Sequence, residues 1–413
     1  MRSEFIKNKI GFIPPENWKV YKLGELTEIN SDSLGAKTSP DRRLKYIDLG
    51  SVNTGAIDLP ADEFIFEDAP SRARRIISAG DILMSTVRPN LKGFARADDK
   101  LDGYVCSTGF AVLSAESKVD SKLIYQSLFS ESFERQFHQL LVGSSYPAIN
   151  NSDVEKLYLA LPIKKEEREV IVNVLSTWDE AISKTEKLIN AKKRYKKGLM
   201  QRLLSGKIRF PEFEGEEWVE VKLGDVFDRI TEKNESESVK NVLTISAQDG
   251  LVSQTDYYNK SVASKDLSNY IILKQGEFAY NKSYSEGYPL GAIKRLDDYD
   301  QGVLSPLYIC FKLSSEKVNS DFITHYFENG GLNHGIYKIA REGARNHGLL
   351  NVSVKDFFEI DLVLPLPEEQ KKVASVLNET MNEVELLETQ LEKYQKQKKG
   401  LMQQLLTGKV RVN

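Results

Sequence analysis

Side chains suited to recognition chemistry gather in four loops. Met84-Ser-Thr-Val-Arg-Pro-Asn-Leu-Lys-Gly93 follows an apolar, strand-like run and mixes Ser85, Arg88, Asn90 and Lys92. Tyr280-Asn-Lys-Ser-Tyr-Ser-Glu-Gly287 follows another such run with Asn281, Lys282, Ser283 and Tyr284. Two Gly-headed loops add Ser144, Ser145, Tyr146 and Asn150 in one place, and Arg345, Asn346 and His347 in the other. Arg, Lys, Asn and Ser hold phosphates and read base edges. The chemistry within reach is recognition of DNA by hydrogen bonds, not bond-making. Each loop also has a plainer reading. The first pair reads as solvated hairpins. The second pair reads as helix-leading loops, with Asn150 and Ser353 as N-caps.

Patterns for catalysis are missing from the sequence. It has no Gly-x-x-x-x-Gly-Lys-Ser/Thr loop and no Gly-rich dinucleotide fingerprint. Neither Asp-Pro-Pro-Tyr nor Asn-Pro-Pro-Tyr occurs, so a base-methylating site is not expected. With 2 Cys and 4 His, no spacing suits zinc. His138, His325 and His334 read as structural. Cys106 and Cys310 sit in apolar runs and read as buried free thiols in a reducing cytoplasm. Met1 to Pro15 lacks the apolar stretch of a signal peptide, and no later run is long enough to span a bilayer. The net charge of −3 argues against an independent, tight nucleic-acid binder. Yet cations cluster at Arg42, Arg43 and Lys45, at Arg72, Arg74 and Arg75, and at Arg88, Lys92 and Arg96. Binding through local patches, helped by a more basic partner, is the expectation.

The elements that would position these loops occur twice. Trp18-Lys-Val-Tyr-Lys-Leu-Gly-Glu25 returns as Trp218-Val-Glu-Val-Lys-Leu-Gly-Asp225. Gly198-Leu-Met-Gln-Arg-Leu-Leu-Ser-Gly-Lys-Ile-Arg-Phe210 returns as Gly400-Leu-Met-Gln-Gln-Leu-Leu-Thr-Gly-Lys-Val-Arg-Val412. A period of about 200 residues is a duplicated domain, not a solenoid repeat. Inside each copy the landmarks align. Leu44 to Ile57 reads as two strands about a Gly turn, and Asn241 to Val252 takes its place. Gly80-Asp-Ile-Leu-Met84 answers Gly276-Glu-Phe-Ala-Tyr280, and Val105 to Leu113 answers Val303 to Phe311. A small helix follows over Ser121 to Leu141 and Ser320 to Tyr337.

After Leu161-Pro162 and Leu364-Pro365 comes a heptad pattern. The first seam holds Leu175, Trp178, Ile182, Ile189 and Leu199. The second holds Leu377, Val384, Leu387, Leu391, Tyr394 and Leu401. Gly206 and Gly408 are natural stops. Each helix should run about 35 residues, roughly 50 Å. An exposed apolar stripe of that length needs a partner, and the other copy's helix, antiparallel, is the nearest one. Lys192 to Lys197 and Lys393 to Lys399 read as solvated faces that complement the helix dipoles.

Together these residues resemble the specificity (S) subunit of type I restriction–modification systems. The matching residues are Trp18, Leu23 and Gly24, repeated as Trp218, Leu223 and Gly224; the Gly-Asp-Ile-Leu turn; Leu364-Pro-Leu-Pro-Glu-Glu-Gln370; and the paired helix ends. The first copy departs from the pattern, reading Leu161-Pro-Ile-Lys-Lys-Glu-Glu-Arg168 with one residue more. The resemblance implies an α+β chain with two α/β target recognition domains in tandem, over 1–160 and 209–363. Long helices over 161–208 and 364–413 would form an antiparallel coiled coil with pseudo-two-fold symmetry. It implies a cytoplasmic, non-catalytic subunit without cofactors that binds double-stranded DNA at an asymmetric, two-part sequence. Two modification (methyltransferase) subunits and further restriction (translocase-nuclease) subunits would be its partners, carrying S-adenosylmethionine, ATP and Mg. Two rivals stand beside this reading: a coiled-coil scaffold that binds no DNA, and an enzyme with a degenerate site.

Overall fold

In the computed structural model, which describes residues 2–141, 147–258, 266–340 and 350–412, strand Ile82–Ser85 lies inside an antiparallel sheet. Its four residues are all buried, as an uninterrupted apolar run demands of a central strand. The sheet order is Thr27–Ile29, Phe110–Ala115, Ile82–Ser85, Phe94–Arg96. The second copy repeats it as Phe227–Arg229, Ile309–Leu313, Phe278–Asn281, Ala292–Arg295. Each hairpin singled out in the sequence therefore joins the same two strands of the same sheet.

The Trp-x-x-x-x-Leu-Gly segments and the Leu-Pro boundaries turn out to be ladder partners. Trp18–Lys22 pairs antiparallel with Tyr158–Pro162, and Val219–Lys222 with Asp361–Leu364. The chain thus enters and leaves each copy side by side.

Two local readings need correction. The run from Leu44 to Ile57 is not one hairpin. Strand Arg43–Ile47 joins a second sheet, pairing parallel with Val105–Ser107. An Asx turn, with Ser51 N–H on Asp48 Oδ1 at 2.8 Å, then bends the chain into a tiny hairpin, Val52–Asn53 with Ala56–Ile57. In the second copy the two-strand reading holds, Leu243–Ser246 pairing with Gly250–Ser253. Each small helix is really two: Lys118–Leu128 and Glu131–Leu141, then Ser320–Glu328 and Asn333–Ile339. Gly330 at φ 79° breaks the latter pair.

The long helices are Lys165–Leu203 and Pro367–Leu405, each 39 residues. The chain divides into two compact units, 1–186 with 389–413, and 187–388. In the first unit Trp178 meets Tyr394 edge-on at 5.6 Å, and Lys398 pairs with Asp179. In the second, Lys192 pairs with Glu383 at 2.5 Å and Lys193 with Glu388 at 2.6 Å. In each unit the start of one long helix shares a core with the end of the other, Leu175 with Met402 and Leu405, and Leu377 with Met200 and Leu203. Leu175, Ile189, Leu377 and Val384 are buried on these seams; Trp178, Ile182, Leu199, Leu387, Leu391, Tyr394 and Leu401 are half-buried.

The repeated helix ends have a packing reason. Met402, Leu405 and Leu406 enter the core of the first unit beside Trp18 and Leu161. Met200, Leu203 and Leu204 enter that of the second beside Leu223 and Leu364. Past each end a Gly in the left-handed conformation, Gly206 or Gly408, turns the chain. The arginine that follows then clamps a buried glutamate. Arg209 donates two bonds to Glu369 at 2.9 and 2.6 Å, and Arg411 two to Glu167 at 2.7 and 2.7 Å. These bidentate pairs explain why Gly-Lys-x-Arg occurs twice.

Candidate nucleic-acid interface

The hairpin of the first copy is a tightly held turn. Strand Ile82–Ser85 ends at Thr86, whose hydroxyl donates to the Gly109 carbonyl at 2.8 Å. Arg88 and Lys92 then adopt left-handed backbone at φ 49° and 55°, bracketing the 3-10 turn Pro89–Leu91. Such non-glycine residues cost on the order of 1 kcal/mol each and persist where the surroundings impose them. Here Arg88 N–H donates to the Pro147 carbonyl at 2.7 Å, and Ile149 N–H to that of Thr86 at 2.9 Å. The chain leaving the first Gly-headed loop is thereby stitched to the hairpin.

The second copy makes the same join with other residues. Leu350 N–H, just past the second Gly-headed loop, donates to the Lys282 carbonyl at 3.0 Å. The hairpin base is anchored by Tyr280, whose hydroxyl donates to the Leu290 carbonyl at 2.8 Å and whose ring stacks on Phe357 at 5.1 Å. Gly291 is required here, because a Cβ would lie 2.2 Å from the Asn281 carbonyl oxygen. In each copy the chain just past the Gly-headed loop is thus a neighbour of the hairpin.

The individual side chains differ in exposure. Arg88, Asn90 and Tyr284 are exposed. Ser85 is not presented as expected: it is buried and its hydroxyl donates to the Val87 carbonyl at 2.7 Å, which closes the turn. Lys92 pairs with Glu134 at 3.3 Å and lines a cleft of about 590 Å³ behind the hairpin. Asn281, Lys282 and Ser283 are half-buried, and Asn281 Oδ1 accepts from Ser283 N–H at 3.0 Å. Asn150 is a helix cap. Its Oδ1 accepts from Asp153 N–H at 3.0 Å in a capping box, as Ser353 accepts from Asp356 N–H at 3.1 Å. Asn150 takes the capping role because a helix start leaves N–H groups to satisfy. Ser144, Ser145, Tyr146, Arg345, Asn346 and His347 lie outside the described residues.

The cation clusters are likewise thinned. Arg74 lies over the Phe66 ring at 4.8 Å, and Lys45 over Tyr104 at 5.4 Å. Arg75 donates to Asn30 and is half-buried, which lowers its pKa. Arg96 donates to Ser121 Oγ at 2.9 Å. Arg42, Arg43 and Arg72 remain exposed, Arg43 beside Glu63 at 3.7 Å. Sequence reasoning passed over Leu91, which is 64% exposed at the hairpin tip; its signal was an apolar residue between Asn and Lys in a turn.

Burial pushes the thiols of Cys106 and Cys310 up to about 12, as expected of inert core cysteines. No described helix is long and apolar enough to cross a membrane.

Comparison with known proteins places this arrangement. Residues 15–192 match the family described as type I restriction modification DNA specificity domain. A Methanocaldococcus jannaschii protein described as the MjaX type I restriction enzyme specificity subunit is 24% identical over 99% of this chain and 97% of its own length. The MjaVIII specificity subunit of the same organism is 27% identical over 50% of each chain. A chain from a type I restriction–modification complex has the same fold, with TM-score 0.60 at 20% identity over 96% of this chain and 99% of that one. The S subunit from M. genitalium gives TM-score 0.56 at 15% identity over 94% and 96%. Residues 15–192 thus match a type I DNA specificity domain, and over 99% of its length the chain is similar to a type I restriction enzyme specificity subunit.

Proposed function

We propose that this chain reads an asymmetric, two-part DNA sequence and recruits methyltransferase and restriction subunits to it, performing no reaction itself. The observation that carries this is the duplicated join of each hairpin to the chain just past its Gly-headed loop, with unlike side chains in the two copies. Equivalent platforms with different tips suit two different half-sites, and hence a non-palindromic target. In this reading residues 1–160 and 209–363 are the two target recognition domains. Segments 161–208 and 364–413 form an antiparallel coiled coil that sets the spacer, near one DNA turn of roughly 34 Å. S-adenosylmethionine, ATP and Mg belong to two modification subunits and to the restriction subunits, all in the cytoplasm.

The test is to map methylated adenines in DNA from cells expressing this chain with its methyltransferase partner. One bipartite, non-palindromic motif is expected. Inserting four residues into either long helix should change the spacer and leave both half-sites intact. Loss of both half-site preferences in that variant would refute the ruler. Affinity for the motif should fall steeply with salt. A flat salt dependence would favour a scaffold that binds only proteins.

A further inference from the structure

Leu91 and Tyr284 are each 64% exposed, at equivalent hairpins of the two sheets. A single exposed leucine is ordinary on any surface. Leu91 is set apart by how it is held. The polar side chains around it are engaged elsewhere: Ser85 on the Val87 carbonyl, Thr86 on that of Gly109, and Lys92 on Glu134 at the surface. Pro89 is buried beneath the turn. Leu91 N–H closes onto Arg88 and Lys92 N–H onto Pro89, at 2.9 and 3.0 Å, and the left-handed residues on both sides lock that shape. The product is a rigid aliphatic tip with exposed Asn90 and Arg88 beside it.

That combination has a chemical use on DNA. An apolar wedge replaces part of the stacking at a base step, while amide and guanidinium groups hold a base edge and a phosphate. Rigidity matters, because a pre-set wedge loses no conformational freedom on entry. Resting on the DNA-reading function above, we propose that Leu91 enters a base step of the half-site read by the first domain and partly unstacks it. Tyr284 is its counterpart, but an aromatic ring offers a face for stacking that leucine lacks. The two half-sites are therefore engaged in different ways. Part of the discrimination in the first comes from how easily its step opens, at a position that no hydrogen bond reads.

The experiment uses the full chain with its methyltransferase partner on duplexes carrying the mapped motif. 2-Aminopurine replaces each base in turn, except the methylated adenine. Wild-type protein should raise fluorescence several-fold at one step of the first half-site. Leu91→Ala should abolish that rise, weaken motif binding roughly tenfold and leave the second half-site's signal unchanged. Leu91→Met should restore both. An unaltered melting temperature confirms that the exposed substitution leaves the fold intact. Wild-type protein that binds its motif without a rise in the first half-site overturns the proposal, as does a full rise with Leu91→Ala. Leu91→Ala that keeps DNA binding and the rise but releases the methyltransferase assigns the tip to a protein contact, and overturns it too. Failure of the underlying reading looks different: wild-type protein then shows no motif preference at all.

Discussion

The buried glutamates Glu167 and Glu369 occupy matching places at the starts of the two long helices, each under an arginine from beyond a helix end. Their surroundings are not the same. Trp18 Nε1 donates to Glu167 at 3.4 Å, whereas Trp218 Nε1 is buried without a partner among the described residues. Arg168 holds the Pro162 carbonyl at 2.7 Å and Asp120 at 2.8 Å. Its counterpart Gln370 holds the Pro365 carbonyl at 2.8 Å and receives Asn319 N–H, also at 2.8 Å. The departure at Arg168 is thus a different side chain in the same clasp, tying the chain at the strand's end to the start of an earlier small helix. A longer guanidinium reaches across the extra residue that the first copy carries. The two halves keep the place of each joint and vary its chemistry, and at the hairpin tips they do the same.

The largest effect should come where the halves agree. Leu175 and Leu377 are both fully buried, each in the core of its own unit. Leu175→Ala and Leu377→Ala should each cost about 3 kcal/mol in denaturant unfolding. Costs that differ by more than about 1 kcal/mol would break the equivalence, because packing around matched sites should relax alike.

The clasps sharpen the comparison at an intermediate scale. Glu369 is 1% exposed, and its side-chain partner Arg209 is 16% exposed. Glu369→Ala should cost roughly 2 kcal/mol, the usual price of a lost charged hydrogen-bond pair that leaves one partner behind. The Glu167→Ala loss should be smaller, since Arg411 is more open to water at 35%. Equal losses would show that solvent access does not set the strength of these pairs.

Much of this was legible in the sequence where spacing alone carries the signal. The heptads gave the long helices, and the doubled motifs gave the duplicated sheet, because apolar periodicity survives any change of loop. The clasps were not legible. Arg209 and Glu369 are 160 positions apart, and nothing in either segment names its partner. The hairpin side chains were misread in part for a similar reason. Ser85 and Asn150 have the right chemistry for DNA, but local backbone groups claim them first, as short polar side chains in turns often allow. Leu91 escaped notice because a search for polar readers passes over an apolar tip.

The smallest expected effect concerns a joint that carries an amide in one half and an imidazole in the other. In the first unit Gln126 donates to Asp179. In the second the corresponding contact is His325, 5% exposed, with Nε2 at 2.7 Å from Asn378 Oδ1. Asn378 donates its amide to Asp321 at 3.1 Å, so its oxygen faces the ring and Nε2 carries the proton. Burial holds the His325 pKa below its ordinary 6.5; Lys196 and Arg295 push the same way, and the Asn378 bond and Asp321 oppose them. The unfolded chain therefore binds a proton at higher pH than the folded one. The stabilising contribution is full above 6.5 and is lost as pH falls through the lowered folded value. His325→Gln removes the titration and installs the amide that the first half uses. The wild-type melting temperature should fall relative to that of the variant as pH drops below about 6.5. A gap that stays constant across that range would mean that this histidine is neutral or charged alike in both states, and the two joints would then differ in shape alone.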